Sequence, residues 1–164
     1  LMNVYEDCPG TVLGVQEVPR KKVSSYGVVK PEFVRENLWK AIDLVEKPTV
    51  EEAPSRLAVM GRYIIEPEIF ALLENTPPGR GGEIQLTDAL RRLALERPVY
   101  AYNFEGRRYD VGDKQGYLEA TIEFALQRPD LREPFLRYLL KTVGPLLKDN
   151  EMAAAVMPGE QPEK

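Results

Sequence analysis

Apolar and polar positions repeat at two periods along the chain, and the change from one to the other marks out its elements. Thr11 to Val18 is rich in β-branched residues and predicts a strand. Arg20-Lys21-Lys22 follows as a charged surface turn. Ser25 to Lys30 predicts a second short strand with Gly27 in its middle, which Pro31 ends or edges. Trp39 to Glu46 is a third, and its period of two puts Ile42, Leu44 and Glu46 on one face. Pro48 closes it, because the proline ring has no N–H to donate to a ladder. Leu57 to Ile65, apolar almost throughout apart from Arg62, predicts a central strand buried on both faces.

The period then lengthens. Pro67 suits a helix start, where its missing N–H goes unneeded, and Ile69, Phe70, Leu72 and Leu73 form the buried stripe of a short helix. Pro77 to Gly82 is a loop by composition. Thr87 is a candidate cap for a helix with Leu90, Leu93 and Ala94 inside and Arg91, Arg92 and Glu96 outside. Val99 to Phe104 alternates once more as a strand, and Glu105-Gly106 turns the chain. Asp113 caps a helix carrying Leu118, Ile122 and Ala125, and a second amphipathic helix with Leu131, Phe135, Leu136 and Leu139 follows Pro129. From Glu151 the composition predicts a flexible tail. Strands come mostly early and helices late, which predicts an α/β sheet with an open edge or face.

Composition narrows the function classes. A chain of 164 residues with 43% apolar and 29% charged residues is long enough to bury a core. Its net charge of −4 argues against nucleic acid as a partner. The single cysteine, Cys8, excludes an internal disulfide framework and fits a reducing compartment. No apolar run reaches the length of a membrane span, so the expectation is a cytoplasmic protein without membrane contact. The absence of histidine removes the commonest general base and zinc ligand, leaving carboxylates, lysines, arginines and backbone dipoles for any chemistry. The opening Leu1-Met2-Asn3 is not an ordinary translation start and raises the expectation of a fragment.

Five segments carry more specific information. They are Ser25-Tyr26-Gly27-Val28-Val29, Val45-Glu46-Lys47-Pro48, Leu57-Ala58-Val59-Met60-Gly61-Arg62-Tyr63, Gly82-Glu83-Ile84-Gln85-Leu86-Thr87-Asp88, and Tyr109-Asp110-Val111-Gly112-Asp113-Lys114-Gln115-Gly116-Tyr117. In this order and spacing, over about residues 10 to 127, the set resembles the bacterial UDP-glucose pyrophosphorylases within the sugar-nucleotidylyltransferase family. The resemblance implies a partial Rossmann-like (glycosyltransferase-A-like) mixed sheet with flanking helices. It matches the sugar-binding, carboxy-terminal half of that family. The family's amino-terminal Gly-x-Gly-Thr-Arg signature, which cradles the nucleotide, and its first magnesium-binding aspartate match nothing in this chain. The implied organisation is residues 1–128 as the sugar-binding half, 129–150 as a helical segment and 151–164 as the tail.

The same resemblance implies roles, each beside a plainer alternative. Tyr26 and Gly27 would lie at the sugar, with Gly27 letting the ring approach the backbone; the alternative is a bulge glycine in an edge strand. Glu46 would accept hydrogen bonds from glucose hydroxyls and Lys47 would meet the sugar phosphate. The alternative is an exposed pair at a strand end. Val59 and Tyr63, four apart, would share the pocket face, or simply pack in the core. Glu83 would lie at the sugar-phosphate loop, while Arg80 is displaced in register from the phosphate-holding arginine of some relatives. Thr87 and Asp88 read as a helix start rather than as catalysts. Asp110 would be the metal ligand, completing a Mg2+ site, or else a surface aspartate in a turn.

The implied reaction joins UTP and glucose 1-phosphate into UDP-glucose, with Lys47 and Asp110 as the catalytic residues. It needs no histidine, because a phosphomonoester with a second pKa of about 6 is already an anionic nucleophile. The chain alone is expected to be inactive, and a homo-oligomer is expected through exposed apolar helix faces. The competing readings are a nucleotidylyltransferase for another nucleotide or sugar, and a non-catalytic sugar-phosphate-binding or assembly module.

Overall fold

The computed structural model describes residues 1–147, so the expected tail at 151–164 lies outside the described residues. The chain forms two compact units, Leu1–Gly106 and a second from Arg107 onward. The sequence reading places its division after residue 128. Residue 128 joins two helices that pack on each other within the second unit, and the chain divides instead at the exposed Glu105-Gly106 turn.

The first unit opens with helix α1 (Met2–Asp7), followed by strands β1 (Thr11–Glu17), β2 (Gly27–Arg35), β3 (Leu38–Glu46) and β4 (Leu57–Ile64). Helices α2 (Ile69–Glu74) and α3 (Leu86–Glu96) and strand β5 (Val99–Asn103) complete it. The strands pair in the closed order β1-β4-β2-β3-β5, with β1 and β5 parallel and the other pairings antiparallel. Of the open edge or face expected from the sequence, the described residues show no open edge, because β5 bridges β1 and β3. Leu13, Val15, Val29, Leu44 and Ala101 from the strands pack with Ala89, Leu90 and Leu93 of α3 as the main core. The inner face foreseen for α3 is therefore the one that seals the sheet.

Several expectations change for definable reasons. Arg20–Ser25 is a 3-10 helix rather than a simple turn, anchored by fully buried Val23. β2 begins at Gly27 and runs through Pro31, since the ladder shifts there: Lys30 pairs with Asp43 but Pro31 with Ala41. The skipped residue is Ile42, a bulge that turns it outward to 40% exposure while Leu44 stays buried. β4 is buried only at Leu57 and Ala58; a bulge opposite Gly14/Val15 leaves Gly61 at φ +66 and carries Arg62 outward, so burial on both faces fails. In α2, Ile69 is buried but Phe70 is 68% exposed.

In the second unit, Asp113 caps α4 (Lys114–Gln127) as expected, its carboxylate accepting from the Gly116 N–H at 3.0 Å. Helix α5 (Pro129–Leu147) includes Pro134 and Pro145. The stripe predicted for α4 does not form a core among the described residues: Leu118 and Ile122 are exposed and Ala120 is the buried position. No residue of α5 is buried either, with Leu131 and Leu136 exposed and Phe135 and Leu139 half-buried. Among the described residues no helix is long and apolar enough to cross a membrane.

Candidate functional site

Strand alternation builds the site. Val29 on β2 and Leu44 on β3 point into the core beneath α3, so Gly27, two residues before Val29, and Glu46, two after Leu44, share that face. They are direct partners in the ladder. Apolar side chains stop there and a carboxylate takes over, beside the first turn of α3. Thr87 in that turn donates its hydroxyl hydrogen bond to Glu46 Oε2 at 2.5 Å. The helix N-terminus adds a favourable partial positive charge near the carboxylate. Thr87 is therefore not the cap foreseen for α3: the cap position is Gln85, whose side chain does not cap the helix, and Thr87 lies inside the helix with its hydroxyl committed to β3.

Lys47 follows Glu46 with φ +44, a left-handed conformation uncommon for a side-chain-bearing residue. Adjacent residues of a regular strand point to opposite faces; this break brings Lys47 Nζ to 3.8 Å from Glu46 Oε1. The Lys47 N–H donates to the Tyr26 carbonyl at 3.0 Å, tying the turn to the start of β2. The Glu46 side chain is 15% exposed and that of Lys47 is 47% exposed, so the carboxylate is sheltered and the ammonium reaches solvent.

Val59 and Tyr63 keep a common side despite the bulge, because they pair with Val15 and Leu13, two apart on β1. Val59 packs against the main core. Burial first, and the Glu46 charge second, push the Tyr63 phenol above its ordinary range. Tyr26 packs with Val18, Val23, Val28 and Ala58 in a smaller cluster. Glu83 is fixed separately, its carbonyl accepting the Gly79 N–H at 2.8 Å and its side chain exposed. The Arg80 side chain lies outside the described residues.

Asp110 belongs to the second unit. Its Oδ2 accepts from Arg108 at 2.8 Å, its Oδ1 from the Gly112 N–H at 3.2 Å, and its carbonyl from the Asp113 N–H at 3.1 Å. A Cβ at Gly116 would sit 2.3 Å from that carbonyl oxygen, so only glycine lets α4 start so close to Asp110. The flanking residues were not picked out from sequence. Arg107 bonds Glu119 at 2.9 Å and also Glu123, lies 4.9 Å over the Tyr109 ring, and the Tyr109 hydroxyl donates to Glu123. That hydrogen bond raises the Tyr109 phenol above its usual range. The available signal was Glu119 and Glu123 one turn apart on α4, facing an arginine and a tyrosine just upstream. Among the described residues no group of three or more metal-ligating side chains converges.

Gly27, Glu46 and Lys47 thus meet at one place, joined by Thr87 and felt by Tyr63, while the Asp110 segment is organised within its own unit. Residues 6–127 match the family described as Nucleotidyl transferase. The chain belongs to the nucleotidyl transferase family. Within it, the chain is 48% identical over 139 residues to a UTP–glucose-1-phosphate uridylyltransferase of Staphylococcus haemolyticus, covering 85% of this chain and 48% of that protein. It is 47% identical, with the same coverage, to one from Staphylococcus epidermidis. Among solved structures, a UDP-glucose pyrophosphorylase complexed with UDP-glucose superposes at TM-score 0.74 with 44% identity, over 77% of this chain and 48% of that one. A UTP-bound enzyme of the same kind from Acinetobacter baumannii gives TM-score 0.74 at 37% identity, over 85% and 48%. The nucleotidyl transferase mixed sheet with flanking helices is thus the fold of this chain, and the resemblance read from the five segments is borne out. The chain spans about half the length of the curated relatives it matches.

Proposed function

We propose that this chain supplies the sugar-phosphate side of a UTP–glucose-1-phosphate uridylyltransferase. The observation that carries the reading is the Glu46–Lys47 pair, a sheltered carboxylate and a solvent-reaching ammonium 3.8 Å apart at the end of an apolar sheet face. A carboxylate accepts from sugar hydroxyls and an ammonium meets a phosphate, so the pair suits a hexose that carries one. The comparisons favour glucose 1-phosphate as that ligand and UTP as the second substrate.

In the proposed reaction an anionic phosphate oxygen of glucose 1-phosphate attacks the α-phosphorus of UTP. A new P–O bond forms, the bond to the bridging oxygen of the β-phosphate breaks, and pyrophosphate leaves with that electron pair. No proton has to move. Lys47 holds the attacking phosphate and relieves repulsion between the two anions, while Glu46 orients the sugar. Tyr63 and Tyr26 border the pocket in this reading. Val59 supports it from the core. Glu83 would act through the loop it closes with Gly79.

Asp110 is the proposed metal ligand. Its carboxylate is 60% exposed, and Arg108 and the Gly112 N–H leave acceptor positions on both oxygens, which fits an ion held by one protein carboxylate plus phosphate and water oxygens. When bound, Mg2+ would neutralise charge on the phosphates.

Calorimetric titration of the chain with glucose 1-phosphate tests the pair. Glu46→Gln and Lys47→Met are each expected to weaken binding roughly tenfold or more, as for loss of a charge-assisted hydrogen bond. Unchanged affinity in both variants would sink the reading. For Asp110, the measurement is the increase in UDP-glucose affinity on adding Mg2+. Asp110→Asn is expected to abolish that increase, and a variant that keeps it removes Asp110 from the metal.

A further inference from the structure

Gly27, Glu46 and Thr87 make a closer arrangement than ligand binding by Glu46 alone requires. Thr87 and Glu46 are 41 residues apart in sequence, yet their oxygens lie 2.5 Å apart, at the short end of the range for a hydroxyl on a carboxylate. A glutamate side chain gives up the freedom of three rotatable bonds when fixed, so something must hold it if its oxygens are to be aimed. Threonine suits the task because its branched Cβ leaves χ1 few choices, and its backbone is locked in the first turn of α3.

Gly27 belongs to the same arrangement. A Cβ there would lie 2.9 Å from Thr87 Oγ1, 3.1 Å from Glu46 Oε2 and 3.4 Å from Thr87 Cγ2. The space above this glycine is therefore filled by the two side chains of the hydrogen bond. Any residue but glycine would press on both partners at once.

We infer that Thr87 is a positioning residue for Glu46: its hydroxyl fixes Oε2, leaves Oε1 on the Lys47 side to receive a sugar hydroxyl, and Gly27 is bare to admit this clasp. Only the identity of the ligand rests on the sugar-phosphate reading above; the clasp itself does not. The Thr87 proton is spent on Glu46, so Thr87 contributes through the carboxylate and not as a donor to the ligand.

The test has a ligand-free arm and a ligand arm, both on the 164-residue chain. With glutamate labelled at the carboxyl carbon, the Glu46 resonance is identified by its loss in Glu46→Gln. Thr87→Val, which keeps the shape and removes the hydroxyl, is expected to move that resonance, while Thr87→Ser keeps it near the wild-type position. Gly27→Ala is expected to move it too, by crowding the pair. A resonance unmoved in Thr87→Val overturns the inference. In calorimetry with α-D-glucose 1-phosphate, Thr87→Val is expected to bind roughly tenfold more weakly and Thr87→Ser within about twofold of wild type. A moved resonance with unchanged affinity overturns the positioning role. A wild-type chain that shows no glucose 1-phosphate binding counts against the sugar-phosphate reading, and the carboxyl resonance then decides the clasp by itself.

Discussion

The two units organise their candidate residues in opposite ways. In Leu1–Gly106, Glu46 is aimed by residues far away in sequence: Gly27 across the ladder, Thr87 from α3 and a core of strand and helix side chains behind them. In the unit from Arg107 onward, Asp110 is held by Arg108, Gly112 and Asp113, all within three residues, and among the described residues its segment is pinned to α4 by ion pairs rather than by a buried core. The first arrangement is only as good as the packing of the whole sheet. The second is a local turn, whose geometry follows from hydrogen bonds between neighbours and from one glycine, Gly116. Long-range packing can shelter a carboxylate from water, and a local turn leaves its carboxylate exposed. The 15% exposure of Glu46 against 60% for Asp110 records that difference.

The contrast can be broken most forcefully in the cores. Leu90→Ala removes a side chain buried against both sheet and helix and is expected to cost about 2–5 kcal/mol in urea unfolding. Leu118→Ala, on the exposed side of α4, is expected to stay within about 0.5 kcal/mol. Equal losses would mean that the second unit has a core after all. The caps sharpen the comparison on a smaller scale. Asp113→Ala is expected to lose about 1 kcal/mol of protection in α4 amides by hydrogen exchange, because a real cap bond disappears. Gln85→Ala, which removes no side-chain cap bond at α3, is expected to change protection there by much less.

The smallest effect lies at high pH. Burial and the Glu46 charge hold the Tyr63 phenol above its ordinary value, so the folded chain keeps this proton after the unfolded chain has released it. Stability from this group is then full below about pH 10, the ordinary tyrosine value, and falls as the pH rises beyond it. Tyr63→Phe is expected to flatten that alkaline decline, measured as the urea midpoint against pH. An identical slope in the variant would mean that burial and the Glu46 charge do not hold that proton.

Much of the fold was legible in residue pattern. The strands at Thr11, Trp39 and Val99, the inner face of α3 and the Asp113 cap all follow from local period and capping chemistry, which act over a few residues. What failed depended on bulges and on neighbours. Ile42 has the right period for burial, yet the slip opposite Lys30 turns it outward. Phe70 and Leu118 have helical spacing without a surface to cover them among the described residues. Thr87 illustrates the same limit within the site. Its position at a helix start was readable, but a threonine hydroxyl serves a cap and a distant carboxylate equally well in sequence.

The sequence by itself determined the period that sets most strands and helices, which family the five segments belong to, and that this chain has no histidine to offer, because periodicity, turn residues and composition are properties of the chain in order. Tertiary structure alone decided that Glu46 is gripped from α3 and that Lys47 turns back beside it. It also decided that the sheet closes on itself and that Gly27 is bare for two protein side chains. Those outcomes depend on which atoms meet after residues tens of positions apart are packed together, and a one-dimensional pattern carries no distance between them.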